Sequence, residues 1–194
     1  MKASRNKTID LSLEEGSRYL ARCITVTAPV ALKQIQDKTI LGDTFQVLPY
    51  LPRQFVDLLI VDPPYNLAKD FHGNSFKKTS AQAYQTYTEQ WLALARPLLK
   101  EHASVYVCCD WQSSPLIGLT LAKYFQVRNR ITWQREKGRG AKRNWKNAME
   151  DIWFATNSRE YTFHVEAVKL RRRVMAPYRV AGRPKDWEET AAGK

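Results

Sequence analysis

The chain has 194 residues, 44% hydrophobic and 26% charged, a balance that fits one globular domain with a buried core and excludes a disordered or fibrous polypeptide. Lys and Arg total 31 against 19 Asp and Glu, a net charge of +12, which points to a polyanionic partner, nucleic acid ahead of a membrane surface. Uncharged apolar runs such as Leu58–Val61 and Val105–Cys109 fall far below the roughly 20 residues of a membrane helix. The polar N-terminus lacks a signal-peptide core, so a cytoplasmic location is expected.

Residues 1–22 read as an N-terminal extension, mobile or loosely docked. From there to about residue 165, short apolar strands alternate with amphipathic stretches, predicting an α/β domain with a largely parallel sheet. The clearest strand is 57–61 (DLLIV), an unbroken apolar run of the kind buried on both faces. Asp62-Pro63-Pro64 ends it, because two prolines cannot continue a ladder. A helix is predicted over 81–99, with Tyr84, Tyr87, Trp91, Leu94, Ala95 and Leu98 at helical spacing. A strand follows at 104–109, then a helix capped by Ser114 with Pro115 in its first turn. Strands are predicted at 127–133 and 151–156, separated by a basic loop over 135–147 with no apolar period. Strand, helix, strand, helix, strand makes half of a doubly wound sheet, a fold that binds ligands beyond the carboxyl ends of its strands.

Cys108 and Cys109 are adjacent, which suits neither a disulfide framework nor a zinc site; they read as reduced thiols packed in a strand. His72, His102 and His164 have no ligand spacing, so no metal is expected.

The candidate site is the stretch Asp62-Pro63-Pro64-Tyr65-Asn66. A carboxylate and a proline carbonyl at a strand's end can accept hydrogen bonds from an amino group. The tyrosine offers a stacking surface beside them. The blander alternative is a Pro-Pro turn closing a strand next to a chance tyrosine. A second candidate surface is basic: the cluster from Arg128 to Lys146 contains one acid, Glu136, and Arg171-Arg172-Arg173 follows.

Asp62-Pro63-Pro64-Tyr65 after a hydrophobic strand resembles the catalytic motif of the DNA amino-methyltransferases, the N6-adenine and N4-cytosine class. Thr39-Ile40-Leu41-Gly42-Asp43 ahead of it resembles that family's neighbouring motif. The likeness continues through 91–100, 104–110, 131–136 and 147–156, in the order of the family's β group. It implies the Rossmann-like fold of S-adenosylmethionine-dependent methyltransferases, here in partial form. It further implies that Asp62 and the Pro63 carbonyl hold the exocyclic amine of a base flipped out of duplex DNA, with Tyr65 stacked on the base. Asp43, together with Asp62, would lie at the cofactor. Trp133 matches an aromatic near the flipped base, with a core tryptophan as the alternative. Arg135, Lys137, Arg139, Lys142, Arg143 and Lys146 would meet phosphates, with Trp145 a wedge or packing residue. Arg171, Arg172 and Arg173 would open a target-recognition region over 166–194, beyond a catalytic half over 23–165.

The resemblance breaks at the cofactor. The family's glycine-rich turn after a strand is absent, and Gly138-Arg139-Gly140 has no apolar strand before it. The expectation is a chain truncated before that motif: a fragment, an inactive nucleic-acid-binding remnant, or one part of a split enzyme. It would expose an apolar sheet edge and face and methylate little alone. A complementing chain, a homodimer and a cognate restriction endonuclease are the partner alternatives beside double-stranded DNA. The aspartate-led motif leans toward adenine N6, with cytosine N4 and RNA as the other targets.

Overall fold

The computed structural model describes residues 11–71, 74–139, 143, 145, 147–169, 179–181 and 183–184. Two compact units are present, residues 1–161 and 162–194.

The first unit opens with α1 (Leu13–Leu20), where Ser12 and Glu15 form a reciprocal capping box, and no residue of α1 is buried. Two single-turn helices follow, α2 (Leu32–Ile35) and α3 (Thr44–Val47). They share a small cluster of Val26, Ile35 and Val47. The apolar run forms β1 (Val56–Val61). An excursion containing the short hairpin β2 (Lys69–Phe71) and β3 (Asn74–Phe76) leads to α4 (Ala81–Ala95), capped by Ser80. α4 buries Tyr84, Thr88, Trp91, Leu92 and Ala95, one helical stripe. It stops four residues short of the predicted end: Pro97 has no N–H to continue the ladder, and Arg96–Leu98 tighten into a 3-10 turn. The chain then enters β4 (Leu99–Cys109), α5 (Ser114–Leu121), β5 (Gln126–Arg139) and β6 (Asn147–Thr156). The α5 cap falls on Ser113, one residue before the expected Ser114. Asp110 shifts it, by accepting from the Ser113 N–H at 3.1 Å.

These strands form one sheet in the order β1-β4-β6-β5. β1 and β4 are parallel, while β6 runs antiparallel to both of its neighbours. The sheet is therefore mixed: β1, β4 and β5 share a direction, as a largely parallel sheet requires, but β6 is inserted among them reversed. The reason lies in the 135–147 segment predicted as a loop. β5 continues through it to Arg139, which pairs with Asn147. The two strands thus form a hairpin without a crossover helix, and a hairpin can only return antiparallel.

α4 joins β1 to β4, and α5 joins β4 to β5. Both crossovers advance across the sheet in the same sense, and right-handed crossovers of one sense place their helices on one face. The core records this. Tyr84, Trp91 and Leu92 of α4 and Ile117 and Leu121 of α5 cluster with Ala103, Val105, Val107 and Cys109 of β4. At Gly118 a Cβ would lie 2.4 Å from the Trp153 ring, and Trp153 Nε1 donates to the Ser114 carbonyl at 3.0 Å. The opposite face carries Leu58, Ile60, Tyr106, Cys108, Ile152, Ile131 and Trp133 by register. On it Phe154 stacks on Tyr106 at 4.7 Å and is covered by Tyr161 at 5.8 Å. Towards its edges this face is open, with Leu58 53% and Ile60 67% exposed.

The second unit contains the short helix α6 (Val165–Val168) and a hairpin of β7 (Arg179–Val180) and β8 (Arg183–Pro184). No helix among the described residues is long and apolar enough to cross a membrane.

Candidate active site

β1 delivers Asp62 to the carboxyl end of the sheet, where Pro63 and Pro64 stop the strand. Two contacts hold the corner rigid. Tyr84 of α4 donates its hydroxyl to the Pro64 carbonyl at 3.1 Å. Asn66 staples the excursion shut: its Nδ2 donates to the Thr79 carbonyl at 3.0 Å, and its Oδ1 accepts from the Thr79 N–H at 2.8 Å. Asp62 is exposed and Pro63 buried, so the carboxylate faces outward from a fixed base.

The half-buried Tyr65 shares a hydrogen bond with Asp62. Burial, then the Asp62 hydrogen bond and charge, push its hydroxyl far above the usual tyrosine range, and Glu150 and Cys108 add to the shift. Tyr65 is therefore a permanent neutral donor to Asp62. A carboxylate accepts about four hydrogen bonds, so Asp62 keeps capacity for an amine.

Because β6 runs backward, its first residues sit at this same end of the sheet, opposite Cys109. Glu150 faces Trp133 across the β5–β6 ladder and pairs with Arg135 at 2.7 Å. Trp133 is 59% exposed and presents a flat aromatic surface on the open face. Arg135 is committed to Glu150, and Arg130 approaches Asp151 at 3.9 Å. Arg128 is a structural fastener: it bonds Thr156, Ser158 and Arg159 and lies 4.6 Å over the Tyr161 ring. Part of the basic cluster thus serves the fold.

Arg143 and Trp145 are exposed, Trp145 at 97%. Lys137 and Arg139 lie on β5 with side chains outside the description. Lys142, Lys146, Arg171, Arg172 and Arg173 fall outside the described residues.

Asp43 caps α3, accepting from the Phe45 and Gln46 N–H groups at 2.9 and 3.2 Å. It is an ordinary cap by geometry, and also the neighbour of something larger. A cavity of about 210 Å³ lies between α3, β1 and α4, walled by Thr44, Phe45, Tyr87, Trp91, Asp62 and Pro63. The Tyr87 hydroxyl is kept protonated by burial and by the Asp43 carboxylate. Trp91, in the cavity wall and 5% exposed, has a buried indole N–H without a hydrogen-bond partner. An aromatic-walled cavity with a spare donor, and a carboxylate next to Thr44 of its wall, suits a flat heterocycle bearing an exocyclic amine.

The structure thus brings Asp62, Pro63, Pro64, Tyr65, Trp133 and Arg135 to one end of the sheet, with Asp43 beside the cavity. Sequence reasoning gave no role to Glu150, Cys108, Asn66 or Tyr84. Asn66 ends the candidate stretch and could have been given one there. Glu150 could not, since only the reversed strand brings it to Tyr65.

A DNA methylase family model matches residues 56–187. The chain is 30% identical over 134 residues to the DNA adenine methyltransferase YhdJ of Escherichia coli K12, covering 68% of this chain and 45% of that protein. It is 26% identical over 141 residues to the type II methyltransferase M.HpaI of Haemophilus parainfluenzae, covering 70% and 44%. It therefore spans less than half the length of these relatives. Among solved structures, the cytosine-N4-specific PvuII DNA methyltransferase superposes with a TM-score of 0.56 at 15% identity, over 66% of this chain and 52% of that one. TTHA0409 of Thermus thermophilus, complexed with S-adenosyl-L-methionine, superposes at 0.50 and 16% identity, over 64% and 54%. These two likenesses speak to the fold: an α/β sheet of the Rossmann-like methyltransferase type.

Proposed function

The chain belongs to the DNA methylase family, and we propose that it is the base-handling half of a DNA amino-methyltransferase that acts on a base flipped from the duplex, adenine N6 ahead of cytosine N4. The observation that carries this reading is the fixed corner at the end of β1: an outward Asp62 carboxylate on a buried proline, with Tyr65 hydrogen-bonded to it.

An exocyclic amine is a poor nucleophile because its lone pair is delocalised into the ring. In this reading the Asp62 carboxylate and the Pro63 carbonyl each accept one of the amine's N–H bonds, drawing the nitrogen toward a tetrahedral geometry and concentrating its lone pair. Asp62 orients rather than deprotonates, since the amine loses its proton readily once alkylated. The permanent Tyr65 donor holds the carboxylate in one rotamer, and the Tyr65 and Trp133 rings provide aromatic faces for the base. Arg143 and the basic residues near it take backbone phosphates in a salt-dependent manner.

S-adenosylmethionine, when bound, supplies the electrophilic methyl group. The described residues fit one end of that cofactor: the cavity takes a heterocycle, with Asp43 placed to accept from an exocyclic amine. A complementing polypeptide would complete the site, a reading supported by the exposure of Leu58 and Ile60 beside it.

The test is methyl transfer from labelled S-adenosylmethionine to unmethylated genomic DNA, by the chain alone and with a complementing half, followed by nucleoside analysis. N6-methyladenine that disappears with Asp62→Ala is the expected product. N4-methylcytosine would move the target to the other base, and labelled product unaffected by Asp62→Ala would overturn the assignment.

A further inference from the structure

We infer that Trp111, on the turn between β4 and α5, is the side chain that enters the duplex and fills the gap a flipped base leaves behind. This rests on the reading of the chain as the base-handling half of a base-flipping enzyme, and it gives the opening of the duplex a residue of its own.

Among the described residues, the exposed tryptophans are Trp111, Trp133 and Trp145, at 57%, 59% and 97%. Their places differ. Trp133 lies within the β5–β6 ladder opposite Glu150, on the sheet face, where a base already out of the stack would rest. Trp145 belongs to no strand or helix. Val107 of β4 is level with Val61 of β1, and β4 continues to Cys109 before it turns. Trp111 therefore sits on the same rim as Asp62 and Pro63, at the carboxyl ends of two parallel strands, where open α/β sheets meet their ligands.

A wedge has to be held before it meets DNA, because unstacking a base step is already costly and ordering a loop would add to that cost. This turn is held. The Asp110 carboxylate accepts from the Gln112 N–H at 3.4 Å, from the Ser113 N–H at 3.1 Å and from the Ser113 hydroxyl. The Asp110 carbonyl accepts from the Ser114 N–H at 2.9 Å, and Ser113 and Ser114 are buried. Trp111 and Gln112, between these clamped ends, are exposed. A single exposed apolar residue is ordinary on a protein surface; a flat one on a clamped turn beside a base-handling corner is placed to stack. Extracting a base leaves its partner unpaired and one position of the stack empty. An indole ring is as thin as a base and apolar on both faces, so it replaces the lost stacking whatever the neighbouring sequence. Next to the turn a cleft of about 280 Å³ opens, with Gln112 and Ser113 of the turn and Asn66, Lys78 and Thr79 of the excursion in its lining. Lys78 is exposed and brings positive charge to the same rim, where it can take a phosphate of the strand that Trp111 opens.

The experiment titrates the 194-residue chain into two DNA duplexes, one fully paired and one with a single abasic site opposite 2-aminopurine. The abasic site removes the cost of unpairing and leaves the gap open. The expected result is binding about fivefold or more tighter to the abasic duplex, with 2-aminopurine fluorescence quenched as the indole stacks on it. Trp111→Ala should lose both the gain and the quenching, and Trp111→Phe should restore part of each. Both variants should keep the salt-dependent affinity for paired duplex and the melting curve of the wild type. Trp145→Ala should keep the gain and the quenching. A gain kept by Trp111→Ala, a gain lost with Trp145→Ala, or no gain in the wild type would each overturn the inference. Methyl transfer is scored separately. A gain that depends on Trp111, without methyl transfer that depends on Asp62, keeps the wedge and refutes the enzymatic reading; methyl transfer without that gain does the reverse.

Discussion

The two faces of the four-stranded sheet have similar apolar character and opposite fates. On one, Val105, Val107, Cys109 and Ala155 are fully buried beneath α4 and α5. On the other, Leu58, Ile60, Ile131 and Trp133 are between 41% and 67% exposed. Apolar composition therefore did not determine burial here; the direction of the crossovers did. The candidate site belongs to the open side. Trp133 and Glu150 share that face by register with Cys108, and Tyr65 feels both Glu150 and Cys108.

The largest difference between the faces should come from placing one charge on each. Val107→Asp buries an unpaired carboxylate and should cost about 3–5 kcal/mol, enough to abolish a cooperative thermal transition followed by circular dichroism. Ile60→Asp should shift the stability of the chain alone by less than about 0.5 kcal/mol, while reducing its aggregation. Equal losses from both would mean that the open face is covered within the chain itself.

A smaller effect probes the seat of α5. Gly118→Ala should destabilise by about 1–3 kcal/mol, despite alanine's better helix propensity, because the new methyl group meets the hydrogen-bonded Trp153 ring. Denaturant titration checks it, and a stabilised variant would show that Trp153 can move aside. Tyr84→Phe removes the hydroxyl that donates to the Pro64 carbonyl from the covered side. It should cost about 0.5–1.5 kcal/mol and speed amide exchange around residues 65–67 more than elsewhere. Uniform exchange would mean that the prolines and the Asn66–Thr79 bonds hold the corner without it.

The adjacent cysteines give the smallest test, one thiol on each face. Burial pushes the Cys109 thiol up to about 12 from 9.0, and burial also raises Cys108. Cys109 ionises first in the unfolded chain. Its contribution to stability is therefore complete below about pH 9 and is lost as the pH rises toward 12. Half-buried Cys108 should be alkylated by iodoacetamide in the folded protein, and fully buried Cys109 only on unfolding. Mass spectrometry of the labelled peptides reads the order.

Much of the site was legible in the sequence because its determinants are local. Asp62-Pro63-Pro64-Tyr65 follows an apolar run, and prolines end a strand wherever the strand lies. The same holds for the helical stripe of Tyr84 and Trp91 that α4 buries. The basic segment misled, because β5 is stabilised by its partner strand and not by its own pattern. Arg128 reads as part of a charged surface, yet its partners Thr156, Ser158 and Arg159 lie on β6 and the turn after it, whereas Arg130 and Arg135 pair with Asp151 and Glu150 and stay on the surface.

By itself, the sequence determined the strand that carries the site, the residues at its end, the α/β alternation and the helical stripe of α4. These are properties of neighbours along the chain. Tertiary structure alone decided the reversal of β6, the meeting of Glu150 with Tyr65 and the burial of one sheet face with exposure of the other. Each depends on the pairing of distant strands and on the handedness of the connections between them, and neither leaves a periodic trace in the residues it affects.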